Sequence, residues 1–459
     1  MLISDVYLLK FFHLIFVVMK KSLLLFSFIL LGALPVFGQL QQSFFMDYSP
    51  ISTTYNPALK PTWKFYIGFP LNDLSIGVNT TGVNFGDLVF KENGEYSSIF
   101  DENISDARKE QFLNSLEDKM LLGSDIRFVP FSIGVSNGKN AFSFSFAQRI
   151  NMQMDMPREL FRVMLFGSDA VEGGVDVGGL GVEFLTFSEI SIGYRRQITE
   201  HFALAVRPKL FSGTGYVKIT GNELVMTPEP DQRLHLNVEG RMAGAMKLTI
   251  ADGKYQDLEF DSQSFGKNWG VGADIAGTYQ WNRLTVGAGV QDLGFISWSA
   301  NAQKVTGQGD IDVDPEGDVS FEESLEESLE LVATPEKFRT TLNATPFASA
   351  RYSLTEAVSA GALVYGTKIG DKYEPFVTLG ANLQPTRWLE SAVTYSLRKD
   401  SYSNLGVALA FRLALLQVYI GSDNIMSLIN SEKANYFQVR TGLSLVFGQG
   451  RALKESRIK

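Results

Sequence analysis

The chain contains no cysteine, which excludes disulfides, thiolate metal centres and thiol redox chemistry together. Histidine is almost as scarce, with three residues in 459, and one of these, His13, precedes the mature protein argued for below. Only His201 and His235 remain, too few for a transition-metal site and too far apart to serve one nucleophile. Basic charge is also in deficit: 41 Lys and Arg face 50 Asp and Glu, so nucleic acid is excluded as a partner. What the chain does hold is 35 Phe, 16 Tyr and 42 Gly with a hydropathy balanced near zero, a composition that suits alternating strands better than apolar helices.

The start of the chain reads as a leader. Met19-Lys20-Lys21 opens a charged region, Ser22 to Leu34 is apolar, and Val36-Phe37-Gly38 supplies small residues before Gln39, so residues 1–38 are expected to be a cleaved secretory signal peptide with an upstream extension. Its removal takes away three lysines and one aspartate and leaves 38 basic and 49 acidic groups. No later window of about 18 residues stays apolar without charges or turn residues. A helical membrane protein is thereby excluded, and an exported soluble protein or an outer-membrane barrel remains.

Strand patterning separates these two. In Ala141 to Ile150, Phe142, Phe144 and Phe146 alternate with Ser143, Ser145, Ala147 and Arg149. In Tyr402 to Leu413, Leu405, Val407, Leu409, Phe411 and Leu413 oppose Gly406, Ala408, Ala410 and Arg412, and the last strand, Tyr436 to Gly448, behaves alike. A sandwich also alternates, so loop lengths decide. Tight connections at Asn137-Gly138, Thr199-Glu200, Trp281-Asn282, Leu354-Thr355, Thr386-Arg387 and Ala414 alternate with looser ones at 151–187, 213–265, 299–336, 369–372, 399–401 and 421–434. This is the rhythm of an up-and-down closed sheet with short periplasmic turns and long extracellular loops.

The expected fold is an all-β transmembrane antiparallel barrel of about fourteen strands: 74–85, 126–136, 141–150, 189–198, 202–211, 268–280, 284–298, 338–353, 357–367, 373–384, 388–398, 402–413, 416–421 and 436–448. The weakly patterned stretch 215–259 leaves sixteen as the alternative. Residues 39–70 then form an N-terminal segment and candidate plug, 71–448 the barrel and 449–459 a tail. All five Trp (63, 269, 281, 298 and 388) lie near strand ends, where interfacial girdles place aromatics.

These residues carry a resemblance. Asn56-Pro57-Ala58 followed by Trp63 to Pro70, with Lys139 to Phe144, Ile192 to Arg196 and Asp292 to Ile296 before Trp298, resembles an uncharacterised family of Bacteroidota outer-membrane barrels, filed as a domain of unknown function. The chain is similar more distantly to barrels of the FadL and PorV type, and the likeness runs over nearly all of the mature sequence. It implies a FadL-like fold in the Gram-negative outer membrane. In FadL a plugged lumen passes hydrophobic compounds, while PorV serves protein secretion.

Individual motifs were weighed against that barrel. Asn56-Pro57-Ala58 reads as a turn, since Pro fixes φ and disfavours helix at the preceding Asn; it is either part of a gating plug or a plain lead-in to the first strand. Gly134 to Gly138 matches G-x-S-x-G around Ser136, but the strand runs into a hairpin rather than a helix, so no hydrolase elbow is expected. Asp310, Asp312, Asp314, Glu316 and Asp318 alternate as calcium ligands would, although Pro315 stands where such a loop needs Gly. Ser320 to Leu329 reads as a short amphipathic helix, and Met152, Met154 and Met156 as an adaptable apolar patch in a loop. The expectation is a non-enzymatic barrel without cofactor, embedded in outer-membrane lipid and passing a small or hydrophobic solute. The alternative is a cell-surface scaffold whose extracellular loops bind a protein partner.

Overall fold

The computed structural model describes residues 41–46, 49–92, 95–101, 103–166, 175–176, 178–226, 233–312, 328–369, 372–398, 401–429 and 433–448. The expected leader, residues 1–38, and the tail, residues 449–459, lie outside them.

Within the described residues fourteen antiparallel strands close on themselves. They are β1 (Phe65–Gly68 with Asp73–Thr80), β2 (Lys119–Ser136), β3 (Asn140–Pro157), β4 (Gly181–Gln197), β5 (Phe202–Met226), β6 (Trp269–Trp281) and β7 (Leu284–Trp298). There follow β8 (Phe338–Thr341 with Thr345–Ser353), β9 (Val358–Ile369), β10 (Lys372–Leu383), β11 (Leu389–Arg398), β12 (Ser401–Leu413), β13 (Leu416–Ser422) and β14 (Tyr436–Phe447). β14 pairs with both halves of β1, Phe65 opposite Phe447 and Leu74 opposite Thr441, and no edge is left open in the ring. Both ends of the ring's chain, Lys64 and Gly448, sit with the short turns. This turn end faces away from a loop end that carries the long connections.

Alternation inside the ring matches the pattern read from the sequence. Along β6, Trp269, Val271, Ile275, Tyr279 and Trp281 point outward, whereas Gly270, Asp274, Ala276 and Thr278 are buried inward. From Trp269 to Trp281 the strand advances about 40 Å at ~3.3 Å per residue. At a tilt of ~40° that is about 30 Å along the barrel axis, close to the ~25 Å apolar band of such barrels.

Several boundaries differ, and for one physical reason. β2 to β5 continue beyond the apolar band, where both faces meet polar surroundings and alternation fades. Thus Met152, Met154 and Met156 stand in β3 rather than in a loop. The stretch expected as a sixteenth-strand alternative forms the upper half of β5, then Arg233–Gly244 and a separate hairpin of Met246–Ala251 with Lys254–Phe260. Arg233–Gly244 pairs with upper β5 and with Gln303–Asp312, which pairs in turn with Glu330–Pro335, so these strands rise above the ring without entering it. The first strand opens at Phe65, so four residues of the 39–70 segment belong to the sheet. Of the five Trp, only 269, 281 and 388 are exposed; Trp63 packs on Tyr66 and Trp298 lies between Tyr216 and Phe338 on the inner side. Bulges interrupt several ring strands, among them Val129-Pro130 in β2, where Pro needs no ladder partner, and Gln291-Asp292 in β7.

Candidate functional site

Residues 41–46 and 49–63 lie inside the ring, and many of their polar groups meet inward side chains from strands all around it. The Gln41 amide nitrogen donates to Asp423 at 3.2 Å, its side-chain nitrogen to the Tyr365 hydroxyl, and its side-chain oxygen accepts from Thr378 at 2.9 Å and from Ser396. Phe44 and Phe45 fill the space beside β8 to β10: Phe44 meets Phe347 edge-on at 5.2 Å, its carbonyl accepts from Arg351, and the Phe45 ring occupies the room a side chain at Gly380 would need. The short helix α1 (Ser52–Tyr55) ends against β5, where the Arg207 guanidinium donates to the carbonyls of Thr53 and of Thr54, the latter at 2.7 Å. These carbonyls are the unpaired acceptors every helix end leaves, and a buried cation suits them.

Asn56-Pro57-Ala58 is a turn in the structure. The Asn56 carboxamide oxygen accepts from Ala58 N at 3.1 Å, as an Asx turn does. Ala58, fully buried, offers its carbonyl to Arg195 Nε and to the Thr278 hydroxyl, each at 2.9 Å. The turn is thus tied to β4 and β6 near the turn end.

Two groups of buried charges hold this arrangement. The first joins β1 to β14: Arg440 makes a two-pronged ion pair with Asp73, both side chains 1% exposed, while Tyr419 donates to Asp73 at 2.6 Å. The same guanidinium lies 4.6 Å from the Tyr55 ring centre and donates to Ser43 Oγ at 3.2 Å. The second crosses β2 to β7. Lys209 reaches Asp292 at 2.6 Å, Asp274 at 2.8 Å and Glu189 at 3.8 Å; Arg149 reaches Asp292 at 2.9 Å and Glu189 at 3.3 Å; Arg207 reaches Asp274 at 3.3 Å and Arg127 reaches Glu189 at 3.6 Å. The bulge in β7 makes this possible. It sets Gln291 and Asp292 opposite the single residue Asp274, so both turn inward: Gln291 donates to the Tyr55 carbonyl and Asp292 meets the cations. Asp292 has φ of 56°, a left-handed conformation that Asp tolerates, and its amide donates to Asp274 at 2.8 Å.

Towards the turn end a cavity of about 100 Å³ remains between the N-terminal segment and the wall of β4 and β6 to β9. Phe44, Phe45, Asn56 and Leu59 line it from the segment; Arg195, Thr278, Ser349, Arg351 and Ala362 line it from the strands. The loop end is closed differently. Two loop helices, α2 (Asp106–Ser115) and α3 (Arg158–Phe166), bring Phe112, Leu113, Phe161 and Leu165 into one apolar core with Met156, Leu180 and Leu236. A second core of Phe187, Phe211, Tyr216 and Trp298 fills the upper lumen beside it.

The sequence foresaw the turn at Asn56 but none of the buried carboxylates as a group. Asp73, Glu189 and Asp274 were legible only as acids on the inward phase of otherwise apolar strands, and Asp292 not even so. Of the five expected calcium ligands, two are among the described residues. Asp310 and Asp312 fall on a strand above the ring, Asp310 accepts from His235 Nδ1 at 2.7 Å, and Asp314, Glu316 and Asp318 lie outside the described residues. Among the described residues no cluster of three metal-ligating side chains occurs. Ser136 stands in the β2–β3 hairpin, its hydroxyl accepting from Gly138 N at 3.1 Å. Most of the expected helix, 320–327, is outside the described residues, while Leu329 packs on the loop-end core.

Among solved structures the chain is similar to the toluene transporter TbuX of Ralstonia pickettii, with 10% identity and a TM-score of 0.44 over 88% of this chain and 95% of that one. It is similar also to the Pseudomonas putida toluene transporter TodX (8%, TM-score 0.39, 90% and 97% covered) and to a Pseudomonas aeruginosa FadL homologue (9%, TM-score 0.42, 91% and 100% covered). No curated protein matches the sequence. A model of a family of unknown function, DUF5723, matches residues 57–423, and the chain, from the Pro57 turn to Asp423 beside Gln41, belongs to that family.

Proposed function

We propose that the protein is an outer-membrane channel whose N-terminal segment plugs the lumen and passes a small, partly apolar solute when that segment yields. The observation carrying this reading is the inverted polarity of the barrel. Outward positions hold residues such as Ile192, Val271, Ile275, Leu379 and Ile420, each more than 40% exposed, while Asp73, Glu189, Asp274 and Arg440 are buried inside. A soluble barrel would put the apolar face in its core. Monomeric soluble proteins rarely leave apolar patches beyond a few hundred Å² uncovered, and a hydrocarbon surround removes the conflict. No described helix is long and apolar enough to cross a membrane, so the strands are the elements available for it.

The lumen supports passage rather than a permanent core. Residues 41–46 and 49–59 meet the wall through apolar packing and through hydrogen bonds and ion–dipole contacts, the latter of which water can replace one by one as the segment moves. The apolar side of the segment, Phe44 and Phe45 against Phe347, Tyr365 and Phe376, gives an apolar solute a surface to follow. The test is planar-bilayer conductance of the intact protein and of a chain lacking residues 41–60. The intact chain is expected to conduct little or in brief openings, and the shortened chain to conduct steadily. Equal conductance of the two, with both folded, refutes the plug.

A further inference from the structure

Five of the cations buried in the lumen, Arg127, Arg149, Arg207, Lys209 and Arg440, each meet a carboxylate within ion-pair distance. Arg195 does not. It is 4% exposed, and among the described residues it has no carboxylate partner. Its Nε donates to the Ala58 carbonyl at 2.9 Å and its Nη2 to the Gln197 carboxamide oxygen at 2.6 Å, while Nη1 is buried without any hydrogen-bond partner. A buried unpaired guanidinium is unfavourable, by several kcal/mol per ion in general, unless something neutralises it. Arg195 lines the cavity described above, and so do Arg351 and Lys60, with no carboxylate among the lining residues. Lys60 and His201 are exposed at its rim, so the cavity is reached from the turn end.

We propose that this cavity binds the carboxylate of a short-chain organic acid, with Arg195 Nη1 donating to it and the alkyl part lying on Phe44, Leu59 and Ala362. The chemistry of the lining selects this class. Nη1 of Arg195 keeps both of its N–H groups without a partner, a pair that suits a carboxylate, whereas a tetrahedral phosphate would need further converging donors, and Thr278 and Gln197 are already engaged by Ala58 and by Arg195. The space, about 100 Å³ and open at the turn end, admits a small acid rather than a long-chain one. Asn56 lines the same cavity and Ala58 shares Arg195 with it, so the ligand sits where the plug is tied to the wall. The inference rests on the channel reading only in placing the site on a solute path.

The experiment is a titration of butanoate into the detergent-solubilised full chain, followed by calorimetry, with butanol and inorganic phosphate as controls. Saturable binding at one site is expected, with butanol and phosphate each at least tenfold weaker. Arg195→Gln is expected to weaken butanoate at least tenfold, and Ala362→Leu, which fills the cavity from β9 without touching a charge, to do the same; heat-dependent gel mobility verifies that both fold. The proposal is overturned if wild-type protein does not saturate, if butanol or phosphate binds as tightly, or if folded Arg195→Gln and Ala362→Leu proteins keep the wild-type affinity. A protein that binds butanoate but conducts nothing after loss of residues 41–60 refutes the pore and leaves the site standing.

Discussion

Replacing Asp73 by Asn tests how the first and last strands and the N-terminal segment are held together. Asp73 and Arg440 are each 1% exposed and pair across the β1–β14 seam, with Tyr419, Tyr55 and Ser43 around them. Neutralising Asp73 leaves the Arg440 guanidinium buried with only neutral neighbours. Breaking a buried pair from one side in this way generally costs about 3–5 kcal/mol, a fifth or more of a stability of ~5–15 kcal/mol. Removing both charges together, in Asp73→Asn with Arg440→Gln, takes away the uncompensated cation as well. The double change is therefore expected to be milder than the sum of the two singles by at least about 1 kcal/mol, a coupling typical of residues in contact. The assay is urea unfolding in detergent followed by tryptophan fluorescence and gel mobility, with the slope against denaturant unchanged. Because Arg440 also holds Ser43, the single variant should open more often in planar bilayers. The reasoning is refuted if Asp73→Asn stays within ~1 kcal/mol of wild type, or if the two single changes add.

Other outcomes follow from the same contacts. Ile275→Arg, at mid-height on the outward face of β6, is expected to destabilise by about 2–4 kcal/mol in lipid, and Ile198→Arg, beyond the end of β4, by ~0–1 kcal/mol, measured by reversible unfolding from vesicles. Phe161→Ala, which empties the centre of the loop-end core, should cost ~3–5 kcal/mol and expose loops 81–118 and 158–180 to protease before the ring unfolds. His235, on the strand above the ring, has its pKa raised from the usual value by the hydrogen bond to Asp310. Its folded pKa thus lies above its unfolded one, so the stabilisation is complete below about 6.5 and is lost as pH rises through the folded value. NMR titration should find His235 displaced upward from the ordinary histidine value, and Asp310→Asn should return it.

How much of this could be read from the sequence depends on what lay on either side of each strand. Where one face meets an apolar surround and the other the lumen, as in β6, β7 and β12, period-two alternation is strong, and all fourteen strands were found, β7 with its observed bounds, Leu284–Trp298. Above the apolar band that contrast disappears, so the upper halves of β3, β4 and β5 looked like loops. Trp63 and Trp298 were misplaced because proximity to a strand end does not say which face a ring takes; Trp298 falls on the inward phase beyond the β7 bulge, Trp63 lies ahead of β1 against Tyr66, and both are packed inside. The N-terminal segment left only the Asn56 turn as a trace. Gln41 finds Tyr365, Thr378, Ser396 and Asp423 more than 300 residues away, and no local pattern encodes such partners. The bulge that turns Asp292 inward beside Gln291 was equally invisible, since it breaks the very alternation by which strands are recognised.

The most direct measurement is depth-resolved quenching by brominated lipids of tryptophan fluorescence in reconstituted protein. Single-tryptophan chains keeping Trp281 alone, Trp298 alone, or Ile275→Trp alone separate the edge of the outer wall, the inner side and the middle of the outer wall. Bromines near the headgroups should quench Trp281, bromines deep in the acyl chains should quench Ile275→Trp, and Trp298 should respond to neither. If position 275 is untouched by deep bromines while the protein is folded and vesicle-bound, the wall does not face hydrocarbon and the channel reading falls.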